Sequence, residues 1–481
     1  MYKDDQFSVP LLEAMRECEK LKMVPFDVPG HKRGAGNAIL TEYFGSQVMS
    51  LDTNSMPLLD HVGNPTGVIK HAQDLLAAAY GADEAFFMTN GSTSAIQVML
   101  MSTIAPGEKI LLPKNIHKSA LNALILCGGI PIYMKPEICP KEGLMKNISL
   151  QEVQNQLEAN PDARAVFLLN PTYFGYVSDL KKIAQLCKQK NVLLLIDEAH
   201  GAHFPFHKKM PISAMASGAH MSAVSIHKTG GALTQSSALL VKRNKIDLNR
   251  VKQVINILQS TSVSYLLMGS LDGARYNLVK NGEKQLENAI GLCEEARKGL
   301  DQIPGVSTVV ENGFYDLTKL VINVSGLVLT GFEVYELLWK KYGIQLELCE
   351  TNHVLAIISL GDARLEIKKL VDAMADIAKK YLSNGREGRL LLDPLVQDRT
   401  VVMSPRDAYF SEKVLVLVDD ALDLIAGESI MAYPPGIPII SPGELITKEV
   451  ICILKDLLAK DAFIVDNTDP ELKQILVLRE K

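Results

Sequence analysis

A lysine, an acid and a cluster of small hydroxyl residues each follow an apolar segment of this chain, and together they could bind a small phosphorylated molecule. Lys228 lies in the motif SIHK (225–228), close behind one such segment. A lysine that is partly removed from water loses its proton more readily and can then attack an aldehyde. A lysine in an exposed turn would fit the same pattern, so this motif alone leaves both interpretations open.

An acid ends an earlier apolar segment. Asp197 follows VLLLI and opens the motif DEAHGAH (197–203). Pyridoxal 5′-phosphate needs a lysine to hold its aldehyde and a carboxylate to keep its ring nitrogen protonated, and Lys228 and Asp197 fit that pairing. The letters DEAH also occur in nucleic-acid helicases, but no GxxxxGK[ST] phosphate loop lies upstream.

Residues 89–94 read TNGSTS and predict a turn that could hold the phosphate of such a cofactor. Gly91 lets the backbone approach closely, Ser92 and Thr93 offer hydroxyl groups, and the free amides at a helix start favour an anion. Ser225 could donate to the same phosphate. An ordinary helix N-cap explains the turn equally well.

Several histidines lie near these motifs. His117, in NIHKS (115–119), is predicted to open a helix, and its imidazole could stack on a flat cofactor. A structural histidine is the alternative. His200, His203 and His207 could suggest a metal site, but their spacing matches no zinc motif, so we expect no metal there.

Short apolar segments alternate with helical patterns between residues 81 and 245, which predicts βαβ units and an α/β fold. The predicted strands are 85–88, 109–112, 130–134, 165–169, 192–196, 223–226 and 237–241, and the helices between them include 93–103, 118–127, 150–159 and 179–190. Such units form a mostly parallel sheet with helices on both faces. Because ligands bind at the carboxyl ends of these strands, we expect the chemistry at that edge.

The pattern changes after residue 280, where helices at 282–300, 331–342 and 363–381 alternate with strands at 319–324 and 354–359. A polar segment at 383–389 is predicted as a linker, and repeated prolines and glycines within 433–444 predict a shaped loop. We therefore expect three domains, which are an amino-terminal arm with a large cofactor-binding domain at 1–280, a smaller α+β domain at 281–385 and a carboxyl-terminal α+β domain at 386–481.

Composition excludes several classes of protein. The 481 residues carry a formal net charge of −5, so the basic surplus of a nucleic-acid-binding protein is missing. The seven cysteines are odd in number and form no CxxC pair, which argues against a disulfide framework. No apolar run approaches the roughly 20 residues of a membrane span, and the amino terminus resembles no export signal. We expect a cytoplasmic protein without a membrane partner.

The order and spacing of these motifs resemble the Orn/Lys/Arg decarboxylase family of fold-type-I pyridoxal-phosphate enzymes. Further motifs that carry the resemblance are FDVPGHKRG (26–34), NPTYFG (170–175), LTQSS (233–237), QSTS (259–262), SPRDA (404–408) and YPPGIP (433–438). The chain shows no receiver-like amino-terminal domain of the long bacterial members and is similar to the short arginine-decarboxylase-like group. The resemblance implies the aspartate-aminotransferase-like fold of that class.

The resemblance also implies a role for each candidate residue. Lys228 would bind the cofactor aldehyde, Asp197 would pair with the ring nitrogen, and His117 would stack on the ring. The residues implied around the phosphate and the ring are Gly91, Ser92, Thr93, Ser225 and His227 at the phosphate, Ala199 under the ring and His200 nearby. Thr261 or Ser262 of one subunit would reach the phosphate of the other, which predicts a homodimer or a larger assembly.

The implied reaction is decarboxylation of a basic amino acid. Lys228 or His227 would return a proton to the α-carbon after carbon dioxide leaves. Arginine to agmatine, which feeds polyamine synthesis, is the first expectation, before lysine to cadaverine and then ornithine. Asp52, Asp60 and Glu428 are candidates for binding the distal cation. Many relatives have a Gly-Arg pair ahead of the glutamate that matches Glu428. In this chain the corresponding residues, 423–424, are Asp-Leu instead.

Two other functions stay open. A fold-type-I aminotransferase would share Lys228 and Asp197 but should carry a carboxylate-binding arginine in the small domain. A cofactor-binding regulator or assembly subunit without turnover would keep the same motifs without releasing carbon dioxide.

Overall fold

The computed structural model describes residues 6–311, 315–383, 400–432, 437–459 and 464–479. Most of the predicted linker (384–389), the 385/386 domain boundary and the first part of the predicted loop (433–436) lie outside these residues. The chain forms two compact units, Met1–Ser102 with Leu195–Lys284 and Thr103–Leu194 with Gln285–Lys481. The three predicted domains remain a prediction.

The strands are β1 (Glu84–Met88), β2 (Lys109–Pro113), β3 (Ile130–Met134), β4 (Ala165–Leu169), β5 (Leu193–Asp197), β6 (Met221–Val224), β7 (Ser237–Val241), β8 (Ser307–Val309), β9 (Lys319–Asn323), β10 (Leu348–Cys349), β11 (His353–Ile357), β12 (Lys413–Leu417), β13 (Ile430–Ala432), β14 (Ile437–Ile440), β15 (Ile464–Val465) and β16 (Gln474–Leu478).

The helices are α1 (Pro10–Lys20), α2 (Ala38–Phe44), α3 (Ser46–Leu51), α4 (Val68–Tyr80), α5 (Gly91–Thr103), α6 (Lys118–Cys127), α7 (Leu150–Ala159), α8 (Leu180–Gln189), α9 (Ala214–Ser217), α10 (Ile226–Thr229), α11 (Leu248–Leu258), α12 (Tyr265–Leu300), α13 (Gly331–Tyr342), α14 (Arg364–Tyr381), α15 (Pro405–Phe410) and α16 (Lys448–Ala459).

A seven-stranded sheet has the order β1-β7-β6-β5-β4-β2-β3. β5 pairs with β6, and β2 with β3 and β4, in parallel, whereas β7 runs antiparallel to β1 and β6. β1, β4, β5, β6 and β7 are buried along their whole length. Burial on both faces explains why these strands are continuous apolar runs rather than alternating ones. The predicted mostly parallel α/β fold is confirmed.

In the first unit, α12 begins at Tyr265, well before the predicted start at residue 282. Gly269 and Gly273 lie in this helix because α1 packs closely against it. A Cβ atom at Gly269 would stand 2.9 Å from Leu12 and from Met15. These glycines therefore permit a close helix contact, although glycine weakens an isolated helix.

The second unit contains a four-stranded antiparallel sheet in the order β10-β11-β9-β8. Its core includes side chains of α13 and α14. Further along the chain, β12 pairs with β16, and β13 lies between β14 and β15. Residues 437–440, predicted as part of a loop, form β14 instead. Pro438 is tolerated there because β14 lies at a sheet edge, where a missing N–H breaks no ladder bond.

No helix within the described ranges is long and apolar enough to cross a membrane.

Candidate active site

Asp197 ends β5 and is almost completely buried, with 3% of its surface exposed. Its Oδ1 accepts a hydrogen bond from the amide of Ala199 at 3.0 Å. Burial raises the pKa of Asp197 to about 6, and the Ala199 hydrogen bond and the positive charge of Lys228 oppose that rise. The predicted acid and lysine are therefore close enough to interact electrostatically.

Lys228 follows β6, which pairs with β5. Ala223 of β6 lies opposite Asp197 of β5. The strand predicted at 223–226 is displaced, because β6 ends at Val224 and Lys228 lies in the one-turn helix α10. The prediction included Ile226 in the strand because it is apolar. Its side chain is fully buried, but the residue belongs to the helical turn α10.

The side chains of Lys228 and His200 are in direct contact. Nζ of Lys228 lies 2.9 Å from Nε2 of His200, and His200 is 1% exposed. His200 follows Asp197 by three residues in the loop after β5. The lysine, the histidine and the acid thus form one cluster at the carboxyl ends of two adjacent strands.

His227 is held beside this cluster by the carbonyl of Ser236. The His227 amide donates to that oxygen at 3.1 Å, and Nδ1 lies 3.0 Å from it. A carbonyl can only accept, so Nδ1 carries the hydrogen and Nε2 has the lone pair. Burial lowers the pKa of His227, as does the charge of Lys228, while the Ser236 hydrogen bond raises it.

The predicted phosphate-binding turn forms the start of α5. Gly91 has φ +74°, a left-handed conformation that suits glycine, and its amide donates to the carbonyl of Gln235. Ser92 and Thr93 lie in the first helical turn, where Ser92 is half-buried and Thr93 is exposed. The first amides of a helix have no acceptor within it, and those after Gly91 could therefore bind an anion.

Two buried hydroxyl groups flank Lys228 in sequence. Ser225 is fully buried and Thr229 is 4% exposed. Among the described residues, neither Oγ of Ser225 nor Oγ1 of Thr229 has a hydrogen-bond partner. Buried hydroxyl groups are normally paired, so their state fits a site built for a polar ligand.

Glu198 was not among the predicted site residues, although it is 1% exposed and adjoins Asp197. Its carboxyl group accepts from the Ala214 amide at 2.8 Å and the Ser222 hydroxyl at 2.9 Å. Burial raises the pKa of Glu198 to about 8. Sequence offered no signal for this, because an acid after a strand is usually solvated. Ala199, as predicted, is buried beside it at 6% exposure.

His117 belongs to the second unit. It is the N-cap residue of α6, and its Nδ1 accepts from the Ser119 amide at 3.2 Å. The predicted helix start is therefore correct. Stacking of His117 on a cofactor ring stays a prediction.

Thr261 and Ser262, predicted to reach a partner subunit, are exposed. In the first unit they follow α11, and the amide of Ser262 donates to the hydroxyl of Ser260 at 3.1 Å. Their proposed contact with a second subunit stays a prediction.

The acids predicted to bind the distal cation of the substrate already contact other groups of the protein. The Asp60 carboxylate accepts from the amides of Thr66 and Gly67, and that of Glu428 from two further backbone amides. Asp52 Oδ2 lies 3.0 Å from His31 Nε2. Asp60 and Glu428 thus have less of their carboxylates available for a ligand, and the distal assignment stays a prediction.

Comparison with known proteins gives matches along the chain. A family model described as "Orn/Lys/Arg decarboxylase, major domain" matches residues 9–312, and one described as "Orn/Lys/Arg decarboxylase, C-terminal domain" matches residues 390–465.

Curated and solved relatives agree with these matches. An arginine decarboxylase of Bacillus anthracis is 38% identical over 488 residues, which cover 100% of this chain and 99% of the relative. An arginine decarboxylase of Bacillus subtilis is 37% identical, with 99% of each chain covered. The crystal structure of a lysine decarboxylase from Francisella novicida superposes with a TM-score of 0.86 at 20% identity, covering 98% of this chain and 81% of that one. At that identity the likeness shows the fold alone.

Proposed function

The chain belongs to the Orn/Lys/Arg decarboxylase family, and we propose that it converts arginine to agmatine and carbon dioxide with pyridoxal 5′-phosphate as cofactor. The relatives named as arginine decarboxylases match almost the full chain at 37% and 38% identity, which favours arginine over lysine and ornithine. The observation that carries the chemistry is the placement of the buried Asp197 at the end of β5, beside the strand that precedes Lys228, with His200 of the same loop in contact with Lys228 Nζ.

The residues of the first unit fit this cofactor. Lys228 would hold its aldehyde, and Asp197 would pair with its ring nitrogen. The phosphate would be held by the first turn of α5, with Ser92 and Thr93, and by the buried hydroxyl of Ser225, which has no partner of its own within the described part of the chain. A buried hydroxyl without a hydrogen-bond partner is unfavourable. The state of the Ser225 hydroxyl therefore supports the proposal that a phosphate binds at this position.

The bound cofactor would draw electrons from the substrate α-carbon as the carboxylate leaves. Asp197 would favour that withdrawal, since its negative charge would stabilise a proton on the ring nitrogen of the cofactor. After carbon dioxide departs, Lys228 Nζ or His227 Nε2 would supply the proton that the α-carbon needs. The Ser236 carbonyl fixes the imidazole tautomer that leaves Nε2 able to hold that proton.

The described arginines of the predicted small domain argue against an aminotransferase. The described part of the predicted small domain contains Arg297 and Arg364. Arg297 is buried and donates to the carbonyls of Leu317 and Lys319, and the exposed Arg364 pairs with Glu295 at 2.8 Å. Neither is placed as a dedicated carboxylate-binding residue, so decarboxylation is favoured over amino transfer.

A homodimer is part of the proposal. Helix α2 contributes no buried residue to its own chain, and Ile39 and Tyr43 are 68% and 81% exposed. Apolar side chains that a helix leaves exposed in this way are expected to be covered by another surface. The exposed Thr261 and Ser262 agree with a contribution to a second subunit.

The test is amine analysis with purified protein and arginine, lysine or ornithine offered separately. We expect agmatine and equimolar carbon dioxide from arginine, with slower turnover of lysine and ornithine. The Lys228→Ala variant should release neither product and should stay colourless. Lys181→Ala, which removes an exposed lysine of α8, is the matched control and should behave as the unmodified protein.

Two results would contradict the proposal. A keto acid without carbon dioxide would identify an aminotransferase. Protein that turns yellow with the cofactor yet releases carbon dioxide from none of the three amino acids would identify a cofactor-binding regulator.

A further inference from the structure

The contact between Lys228 and His200 places a base against the amine that must react. The two nitrogen atoms are 2.9 Å apart, and His200 is almost completely buried. A protonated lysine has no lone pair and can only donate, whereas a neutral imidazole nitrogen can accept. The geometry is therefore that of an ammonium group donating to Nε2 of His200, or of the same pair after the proton has crossed.

We propose that His200 accepts the proton of the Lys228 ammonium and so makes Nζ nucleophilic toward the cofactor aldehyde. The inference rests on the proposed function, because it assigns a catalytic role to His200 at the same site. In this step the N–H bond of Nζ breaks, its electron pair stays on Nζ, and a new N–H bond forms at Nε2. No other reactant is required.

The charged groups around Lys228 explain why a base is needed. The Asp197 carboxylate favours the ammonium form, since opposite charges attract. His227 is adjacent in sequence and the Lys228 charge disfavours its protonation, while Ser236 holds its Nδ1. The imidazole of His200 is in direct contact with Nζ. Glu198 faces Ser222 and the Ala214 amide rather than this pair.

The test follows how fast Lys228 reacts, independently of turnover. Full-length protein is stripped of cofactor with hydroxylamine, pyridoxal 5′-phosphate is added back, and the coloured lysine adduct is followed across a series of pH values. His200→Gln keeps a polar side chain of similar reach but cannot take up a proton. His203→Gln is the matched control, because it replaces another buried histidine of the same loop that packs against the Phe204 ring.

We expect the His200→Gln variant to form the adduct about tenfold more slowly at pH 7, with the midpoint of its pH profile about one unit higher, since one unit corresponds to tenfold. His203→Gln should reproduce the original profile. A His200→Gln profile with an unchanged midpoint would overturn the proposal, whether or not the rate falls, because a packing role slows the reaction without moving the midpoint.

The outcome is separable from that of the proposed function. If the unmodified protein forms the adduct and the midpoint moves in His200→Gln, the role of His200 holds even when no amino acid is decarboxylated. If the unmodified protein forms no adduct at any pH, both proposals fail.

Discussion

Asp272 and Arg275 form a salt bridge of 2.8 Å in which neither side chain is exposed to solvent. Arg275 also donates to the carbonyls of Gln6 and Ser8, and Asp272 accepts from the amide of Leu11 at 3.0 Å. Two residues of α12 thus anchor the chain that leads into α1. This pair ties the amino-terminal arm to α12 within the first unit.

Arg275→Met is expected to lower the free energy of unfolding by about 3–5 kcal/mol, because it leaves the buried Asp272 carboxylate unpaired. Urea titration measures the loss, and limited proteolysis should show earlier cleavage near residues 6–11. The double variant Asp272→Asn with Arg275→Met should recover part of the stability. Equal stability of the single variant and the unmodified protein would show that the pair does not anchor the arm.

Asp197→Asn is expected to separate activity from stability. Decarboxylation should fall by about 10²–10³-fold, because the ring nitrogen loses its charged partner. The folded pKa of about 6 lies above the ordinary 3.8, so stability present below pH 3.8 is lost as pH rises through 6. The neutral asparagine avoids that loss.

Without cofactor, Asp197→Asn should therefore be more stable than the unmodified protein at pH 7.5, by on the order of 3 kcal/mol. The difference should vanish near pH 4. Thermal unfolding of the two cofactor-free proteins at both pH values measures it. A variant that is less stable at pH 7.5 would contradict the assignment of a destabilising buried charge.

Glu198→Gln tests the neighbouring buried acid. Its folded pKa of about 8 exceeds the ordinary 4.5, so the stability that the protonated acid contributes below pH 4.5 should be lost as pH rises from there through 8. Glutamine stays neutral, and its oxygen can still accept from the Ala214 amide. We expect similar melting temperatures at pH 4.5 or below and a higher one for the variant at pH 9. Parallel decline of both proteins would show that Glu198 does not ionise in this range.

The homodimer can be tested on α2. Ile39→Lys combined with Tyr43→Lys should convert the assembly to a monomer in analytical ultracentrifugation, because two charges would be buried at the interface. Trp339→Lys, which alters a side chain of α13 that is 58% exposed, is the matched control and should leave the mass unchanged. Loss of the assembly in the control as well would point to general destabilisation.

Local patterns were sufficient for elements that have clear ends. Residues 130–134 and 150–159 were predicted with the bounds that β3 and α7 have, the latter because Ser149 caps the helix by accepting from the Glu152 amide. The predicted start of α12 was wrong. Gly269 is accommodated in this helix by a close contact with α1, which is far away in sequence and so left no local signal.

The site was predicted as a set of residue types rather than as a set of contacts. Asp197 and Lys228 were identified because each follows a buried strand, and parallel strands bring their ends together. The contact between His200 and Lys228 has no local signature, since it depends on two loop conformations. Glu198 was missed for a similar reason, because burial of an acid is decided by the surrounding chain.

The buried hydroxyl groups of Ser225 and Thr229, which have no hydrogen-bond partner among the described residues, affect the stability of the protein without cofactor. Together with an ionised Asp197, these hydroxyl groups lower the free energy of unfolding of the cofactor-free protein. A ligand that binds only the folded form raises stability in proportion to the logarithm of its concentration. If the protein binds pyridoxal 5′-phosphate as proposed, depletion of that cofactor should therefore make the protein unfold more readily and be cleaved faster by proteases.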